Sequence, residues 1–433
     1  MDLFIISLIG LSILFLLLFL GMPIGFGMAL IGFCGAVYMM SPGAGFNVLG
    51  IFPYQYSASY NFAVIPLFVL MGEIAFRSGF GRDLYSGVHK LLAGLPGSLA
   101  MATVGACAFF GAICGSSTAT AATMASVALP EMKKFKYSMK LATGTIACGG
   151  TLGILIPPSI IFVIYGIMTE QSIGKLFMAG FLPGVLEALL YMVTIYVLVK
   201  IHPDWAPSAP RTNIRERIFG LRNTWPVFVL FIVVVGGIYM GFFTPTEASA
   251  VGVLGASLIM LGRRQFTREN FIGSLLSSGR TTGMIFSILI GAMIMNYWLG
   301  ISELPLKLAE FVAHLSIPPL GILGSILFIY IILGCLMDAM PMILLTTPIF
   351  YPIIIKMGFD PIWFGVLVVR VVEIGLITPP IGLNVFIIRG IAKDISTFDI
   401  FRGVMPFFVA DIGCVILLVA FPQISLFLPS LLG

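Results

Sequence analysis

Gly153-Ile154-Leu155-Ile156-Pro157-Pro158 and Gly375-Leu376-Ile377-Thr378-Pro379-Pro380 constrain the architecture of this chain more than any other stretches. They share a GxxxPP pattern, stand 222 positions apart and interrupt long apolar runs. Two consecutive prolines remove two backbone donors and push the preceding residue out of helical geometry. In hydrocarbon each freed carbonyl costs on the order of several kcal/mol if nothing satisfies it. Such a break persists at membrane depth only where protein, water or an ion takes the place of the missing donors.

Working outward, each element is preceded by an apolar stretch that is itself interrupted. Residues 97–130 are broken at Gly115-Ser116-Ser117-Thr118, and residues 318–355 at Gly334-Cys335-Leu336-Met337-Asp338. Each half is about 15 residues, roughly 22 Å of helix, which is short for a crossing. Both stretches are therefore read as re-entrant hairpins. Gly115 through Leu129-Pro130 also parallels Gly334 through Thr347-Pro348.

The remaining apolar segments give ten crossings. Five are expected at 3–20, 22–40, 61–76, 141–168 and 176–199, and five at 226–241, 248–262, 281–300, 362–388 and 403–421. The first span lacks a basic leader region and a small-residue cleavage site, and is read as retained. The expected organisation is a first repeat at 1–200, a cytoplasmic linker at 201–225 and a second repeat at 226–433. Each repeat holds five crossings, one of them broken, and one hairpin. Five is odd, so the second repeat lies inverted relative to the first. Inverted repeats with broken helices are a signature of secondary transporters.

Charge placement tests this map. With the N-terminus outside, nineteen of the 23 Lys and Arg residues fall in cytoplasmic loops. Only Lys175, Lys307 and Lys356 fall outside, and Arg370 lies within a span. Such a bias is the positive-inside rule at work. The formal net charge of +5 thus reports orientation and not affinity for nucleic acid. Hydrophobic residues make up 59% of the 433 and charged residues 9%. Soluble proteins carry about 25% charged residues. The solvent facing most of this all-α chain is lipid.

The breaks are also where chemistry is expected. Carbonyls around Gly153–Ile156 and Gly375–Thr378 suit a desolvated cation, and the hairpin tips add the hydroxyls of Ser116, Ser117 and Thr118 or the carboxylate of Asp338. Hard oxygen donors suit an alkali ion, and no His or thiolate cluster points to a transition metal. The helix beginning after each tip presents partial positive charge to a carboxylate. The run 111–128 fits equally well a small-residue face for close helix packing. Among intramembrane charges, Arg370 and Glu373 are spaced to pair with each other, whereas Asp338 has no local basic partner. Glu73, Glu187, Glu247 and Asp411 are expected as caps or interhelix contacts. Trp225, Trp298 and Trp363 fall near expected interfaces, as belt residues do. Amphipathic segments at 81–95 and 303–315 precede the hairpins and suit interfacial arms.

Other function classes find little support. His89, His202 and His314 all lie in loops or interfacial segments, which leaves no buried Ser–His pair, HExxH motif or bis-His haem site. The six cysteines form no CxxC pair. An enzyme is not expected; a standalone sodium- or proton-coupled organic-anion carrier, or a channel, would look similar.

Four motifs in order carry a family resemblance. They are Gly111–Pro130 followed by Glu131-Met132-Lys133-Lys134, the Gly153–Ser159 break, Phe243-Thr244-Pro245-Thr246-Glu247-Ala248, and the Gly375–Asn384 break. Together they resemble the large membrane subunit of tripartite ATP-independent periplasmic (TRAP) transporters over essentially the whole chain. The resemblance implies a layout of the ion-transporter-superfamily kind, sodium coupling, and an elevator-like transport domain moving against a scaffold in the bacterial inner membrane. It implies two partners, a periplasmic substrate-binding protein and a small four-helix membrane subunit, expected as a separate chain. One sodium site would use Ser116, Ser117, Thr118 and the Gly153–Ile156 backbone; the other would use Asp338 and the Gly375–Thr378 backbone. Substrate, a small organic acid such as a C4-dicarboxylate or sialic acid, would sit against Ser116, Thr118, Pro157, Pro158 and Asp338. Pro379, Pro380 and Asn384 would complete its site.

Overall fold

Several helices begin at a Ser, Thr or Asp cap, and several end beside glycine or proline. The computed structural model describes residues 3–207, 222 and 224–431, and every regular element among them is helical. Helix α1 spans Leu3–Phe19 and α2 Ile24–Met39. Helix α3, Pro42–Ser57, opens with Pro42 in its first turn and the Ser41 hydroxyl accepting from the Ala44 amide at 3.2 Å. Helix α4 (Val64–Arg77) continues a short 3₁₀ turn, and α5 (Phe80–Leu92) forms the first arm. The first hairpin is α6 (Ser98–Cys114) and α7 (Ser117–Lys134). Gly115, at φ +64°, closes one limb, and Ser116 caps the next.

The first broken span follows. Helix α8 (Met139–Leu155) stops at the diproline and resumes as α9 (Ile160–Met168), bent by 42°. Helix α10 then runs over Ile173–Ile201. Helix α11 (Trp225–Tyr239) contains a π-turn at Ile232–Gly236. Helix α12 (Pro245–Gly262) starts with a capping box between Thr244 and Glu247. Helix α13 runs 34 residues, Arg268–Ile301. The second arm, α14 (Leu304–Ala313), leads to the second hairpin, α15 (Pro319–Gly334) and α16 (Ala339–Lys356). The second diproline separates α17 (Pro361–Ile377) from α18 (Leu383–Ile391), and α19 (Thr397–Ala420) and α20 (Gln423–Ser430) follow. Both diprolines carry a cis peptide bond.

Both interruptions and both breaks thus fall where expected, but the spans are less uniform. Six helical segments among the described residues are long and apolar enough to cross a membrane, or seven with α8 and α9 taken as one. The expected ten included α1, α2 and α11, which lie at or below the lower length limit of a span, and 362–388, which the second break divides into helices of 17 and 9 residues. The hairpin limbs run 16 to 18 residues, and α16 itself meets the criteria of a span. Helix α13 is longer than the expected 281–300, about 51 Å at 1.5 Å per residue, because no proline interrupts 268–280. Helix α3 escaped the hydropathy reading because Asn47, Gln55 and three glycines dilute it. Of the expected linker, Arg211, Arg215 and Arg217 lie outside the described residues.

The helices pack in two groups. Helix α13 lies along α2 and α4, with α12 beside α4. The hairpins, the broken helices, α10 and α19 form the other group around α8 and α17. Close crossings rely on glycine. A Cβ on Gly111 would collide with the Gly153 backbone, and one on Gly375 with the Gly334 backbone. Each hairpin therefore touches its broken helix at a glycine pair, and the second partners of these pairs are the glycines that open the GxxxPP elements.

Two tryptophans correct the interface expectation. Trp298 is buried, its indole filling the space left by Gly10 and Gly35. Trp363 is also buried and donates through Nε1 to the Leu418 carbonyl at 2.9 Å. Only Trp225 is exposed, at 60%. At the far end of α7, Lys133 bonds Asp394 at 2.5 Å, and that hydrogen bond holds the exposed carboxyl below its usual range.

Gly111→Ala is expected to lower stability by about 1–3 kcal/mol through overpacking against backbone that cannot yield. Gly279→Ala on α13, where an added Cβ meets nothing within 4 Å, serves as the neutral control. Thermal unfolding in detergent measures both, and equal melting temperatures would refute the close-contact account.

Candidate functional site

The first hairpin tip and the first break meet face to face. Ser116 Oγ lies 3.2 Å from Thr118 Oγ1 and accepts from the Ala119 amide at 3.4 Å. Thr120 donates to the Ser116 carbonyl at 2.7 Å, and both groups crowd the missing side chain of Gly153. Gly115 approaches the Pro158 carbonyl in the same way. Residues Gly153 through Pro158 are wholly buried. An α-helix would pair the Gly153 and Ile154 carbonyls with the amides of residues 157 and 158, and prolines supply none. Of the sequence-predicted residues, Ser116 meets Gly153 with Ser117 and Thr118 beside it, and the Pro158 carbonyl meets Gly115; Pro157 is buried next to it, whereas Ile156 packs against Gly184 on α10.

The second break differs. The Thr378 amide closes on the Gly375 carbonyl at 3.2 Å, and its hydroxyl donates to the Ile374 carbonyl at 2.5 Å. This break partly satisfies itself. Asp338 caps α16, its Oδ1 accepting from the Ala339 amide at 2.8 Å. Pro379 and Pro380 are exposed, so the second diproline is not gathered to the site as the first is. Asn384, one turn further on, is buried and crosses to the other half. Its Nδ2 donates to Ser117 Oγ at 2.8 Å and to the Ala147 carbonyl at 3.1 Å, while Oδ1 is buried with no hydrogen-bond partner.

A cavity of about 440 Å³ joins the two tips. Ser116, Ser117 and Thr118 line it together with Asp338 and Ala339, so the N-termini of α7 and α16 both open onto it. Ile154, Ile160 and Ile161 come from the first break, and Leu376 and Ile387 flank the second. Helix α4 contributes Val69, Gly72, Glu73 and Phe76, and α13 contributes Thr281, Met284 and Ile285. No Lys, Arg or His is among its lining residues. The two helix termini and the hydroxyls provide a polar pole for an anion; the α4 and α13 wall is largely apolar. Glu73, Phe76 and Thr281 were not identified from sequence as lining the site, because their position depends on how α4 and α13 pack against the hairpins.

A second polar feature lies apart from this cavity. Arg370 on α17 is fully buried among three fully buried carboxylates. Its Nη1 lies 3.0 Å from Glu187 Oε1 and 2.9 Å from Glu373 Oε2, and Nη2 lies 2.5 Å from Asp411 Oδ1. The expected Arg370–Glu373 pair is present, but it is one edge of a cluster that ties α17 to α10 and α19. Thr151 on α8 adds a contact to Glu187 at 3.4 Å. None of these residues lines the cavity, so the cluster holds the helices that carry the site.

A profile of the family described as "Tripartite ATP-independent periplasmic transporter, DctM component" matches residues 11–424. The chain belongs to this family. It is 36% identical, over 93% of its length and 94% of the other, to the C4-dicarboxylate TRAP transporter large permease protein DctM of Pseudomonas aeruginosa. It is 30% identical to the sialic acid TRAP transporter large permease protein SiaM of Vibrio cholerae, over 96% of each chain. The isethionate TRAP transporter permease protein DctMQ of Oleidesulfovibrio alaskensis is 31% identical over 95% of this chain but only 64% of that protein. These relatives are named as transporter permeases and not as enzymes. Among solved structures, the fold is similar to the Alcanivorax borkumensis YdaH transporter, with a TM-score of 0.59 at 14% identity over 88% of this chain and 89% of that one. Neisseria gonorrhoeae MtrF gives 0.56 at 13% identity, over 82% and 80%.

In this TRAP permease Arg370→Met is expected to cost about 3–5 kcal/mol, because it strands three buried carboxylates. Adding Glu187→Gln and Asp411→Asn removes two of those charges and should recover part of the loss. Detergent-extracted yield and melting temperature report both steps; a single variant as stable as the parent would show that the cluster does not hold these helices.

Proposed function

We propose that this permease imports small organic carboxylates across the bacterial inner membrane, driven by inward sodium movement, with its N-terminus on the periplasmic side. The cavity shared by the two hairpin tips is the observation that carries this reading. Two helix N-termini converge on it, and they favour a carboxylate where no basic side chain is present. The relatives named for C4-dicarboxylate and sialic acid support a carboxylate substrate, while the relative named for isethionate is named for a sulfonate.

Sodium binds at the breaks in this proposal. The first ion takes Ser116, Ser117 and Thr118 oxygens with carbonyls from Gly153–Ile156, and the orphaned Asn384 Oδ1 stands beside that tip. The second ion takes Asp338 and the Gly375–Thr378 backbone. The substrate carboxylate lies between the tips against Ser116 and Thr118, with Pro157 and Pro158 buried behind the wall that Ile154, Ile160 and Ile161 form. Pro379 and Pro380, being exposed, shape the second break from outside the cavity. Each net positive charge entering under a negative-inside potential contributes about 2.3 kcal/mol per 100 mV.

The helices tied by Arg370 and Asn384 move as one body, an elevator, against the group built on α2, α4, α12 and α13. Arms α5 and α14 join the two. The substrate arrives on a periplasmic binding protein, and a small four-helix membrane subunit completes the complex.

Proteoliposomes containing the permease and both partners are expected to accumulate an organic acid delivered by the binding protein only under an inward sodium gradient. Uptake indifferent to sodium would refute the coupling. Asn384→Ala should raise the sodium concentration for half-maximal uptake by about tenfold, the effect of losing roughly 1.4 kcal/mol at the first tip.

A further inference from the structure

A second cavity, about 450 Å³, adjoins the first. Phe76 and Thr123 line both, so they form the neck between them. The two spaces have opposite charge. The inner cavity is lined by Glu73 and Asp338 with no basic residue, whereas Arg77, Arg82 and Arg263 line the outer one against a single acid, Asp83.

The arginines are held in place. Arg263 lies 2.7 Å from Asp83 and donates to the Ser78 carbonyl at 3.1 Å, with its guanidinium 4.8 Å from the Phe80 ring. Arg77 donates to Ser277 at 3.1 Å and reaches Glu73 at 4.0 Å, so it stands at the boundary of the two cavities. Arg82 is exposed. One face of α7 runs through both spaces, with Thr118, Ala119 and Ala122 in the inner cavity and Ser126 and Val127 in the outer.

We infer that the outer cavity is a second anion-binding site, a release vestibule that receives the carboxylate substrate from the inner cavity through the Phe76–Thr123 neck. The identity of the anion and the sidedness rest on the proposed function, in which the Arg77–Lys90 and Arg263–Arg268 loops are cytoplasmic. The charge contrast supplies direction. While sodium occupies the tips, its charge offsets Asp338 and holds the substrate. Once sodium leaves, a carboxylate between Glu73 and Asp338 is repelled and the arginines lie one neck away. Clefts with low-dielectric walls and one sign of charge raise the local concentration of the opposite ion about 10- to 1,000-fold.

Cysteine labelling tests the vestibule without relying on transport. Ser126→Cys and Ala122→Cys are placed separately in a Cys34→Ser, Cys114→Ser background and the complex is reconstituted. Each is treated from the cytoplasmic side with membrane-impermeant sulfonate and trimethylammonium methanethiosulfonates, with rates normalised to a free thiol. At Ser126→Cys the sulfonate is expected to react at least about tenfold faster at low salt, with the preference shrinking in high salt and on adding Arg82→Glu. At Ala122→Cys without sodium the preference should reverse. A faster ammonium reagent at Ser126→Cys, a ratio unmoved by Arg82→Glu, or labelling only from the opposite side would overturn the inference. Sodium-independent uptake would refute the proposed function and leave these ratios unchanged.

Discussion

Four backbone carbonyls, at Gly153, Ile154, Gly375 and Leu376, are denied their helical donors because the residues four positions on are prolines. In water this would matter little, since solvent would replace the lost bonds. Inside a bilayer it sets a condition on the whole molecule: something polar must be brought to each break, and lipid must be kept from it. The hairpins meet that condition at the first break, where the Ser116–Thr120 oxygens and the buried diproline are pressed together. At the second, the Thr378 amide and hydroxyl satisfy two neighbouring carbonyls locally. The two halves thus answer one problem in two ways.

Bringing a hairpin that near to a broken helix requires the backbones to touch. Glycine pairs make this possible at Gly111–Gly153 and Gly334–Gly375, where any side chain would hold the tip away from the break. Closeness of this kind has to be maintained by something stronger than dispersion between small residues. The Arg370 cluster fixes one side of such a contact, tying the broken helix α17 to α10 and α19. Removing such a cluster from water is costly, and its members are useful because each holds the others in position.

Much of this could be read from the residues. The repeated GxxxPP element located both breaks, and Gly115 and Gly334–Asp338 located both helix interruptions, because these signals are local. The Arg370–Glu373 pair was legible for the same reason. Glu187 and Asp411 were legible only as residues wanting partners, since their meeting with Arg370 depends on how three helices pack. Trp298 and Trp363 misled because position along a span says nothing about which face looks inward. Glu73 and Thr281 were hidden likewise: α4 and α13 carry no motif, and they face the site only because the hairpins lie against them. The second diproline matched the first in sequence, yet Thr378 in place of Ile156 gave it a different environment.

Asn384 has a consequence for timing. A single amide reaches from the helix beyond one break to the Ser117 hydroxyl, next to the Ser116 cap at the tip of the opposite hairpin, so neither region can be rearranged in isolation. Rotation of α18 that opens its own end also withdraws a donor from Ser117, and an ion pulling on Ser117 also pulls on α18. In the proposed transport cycle filling and emptying are thereby synchronised across the molecule, which guards against the wasteful leak of a half-loaded carrier slipping across on its own.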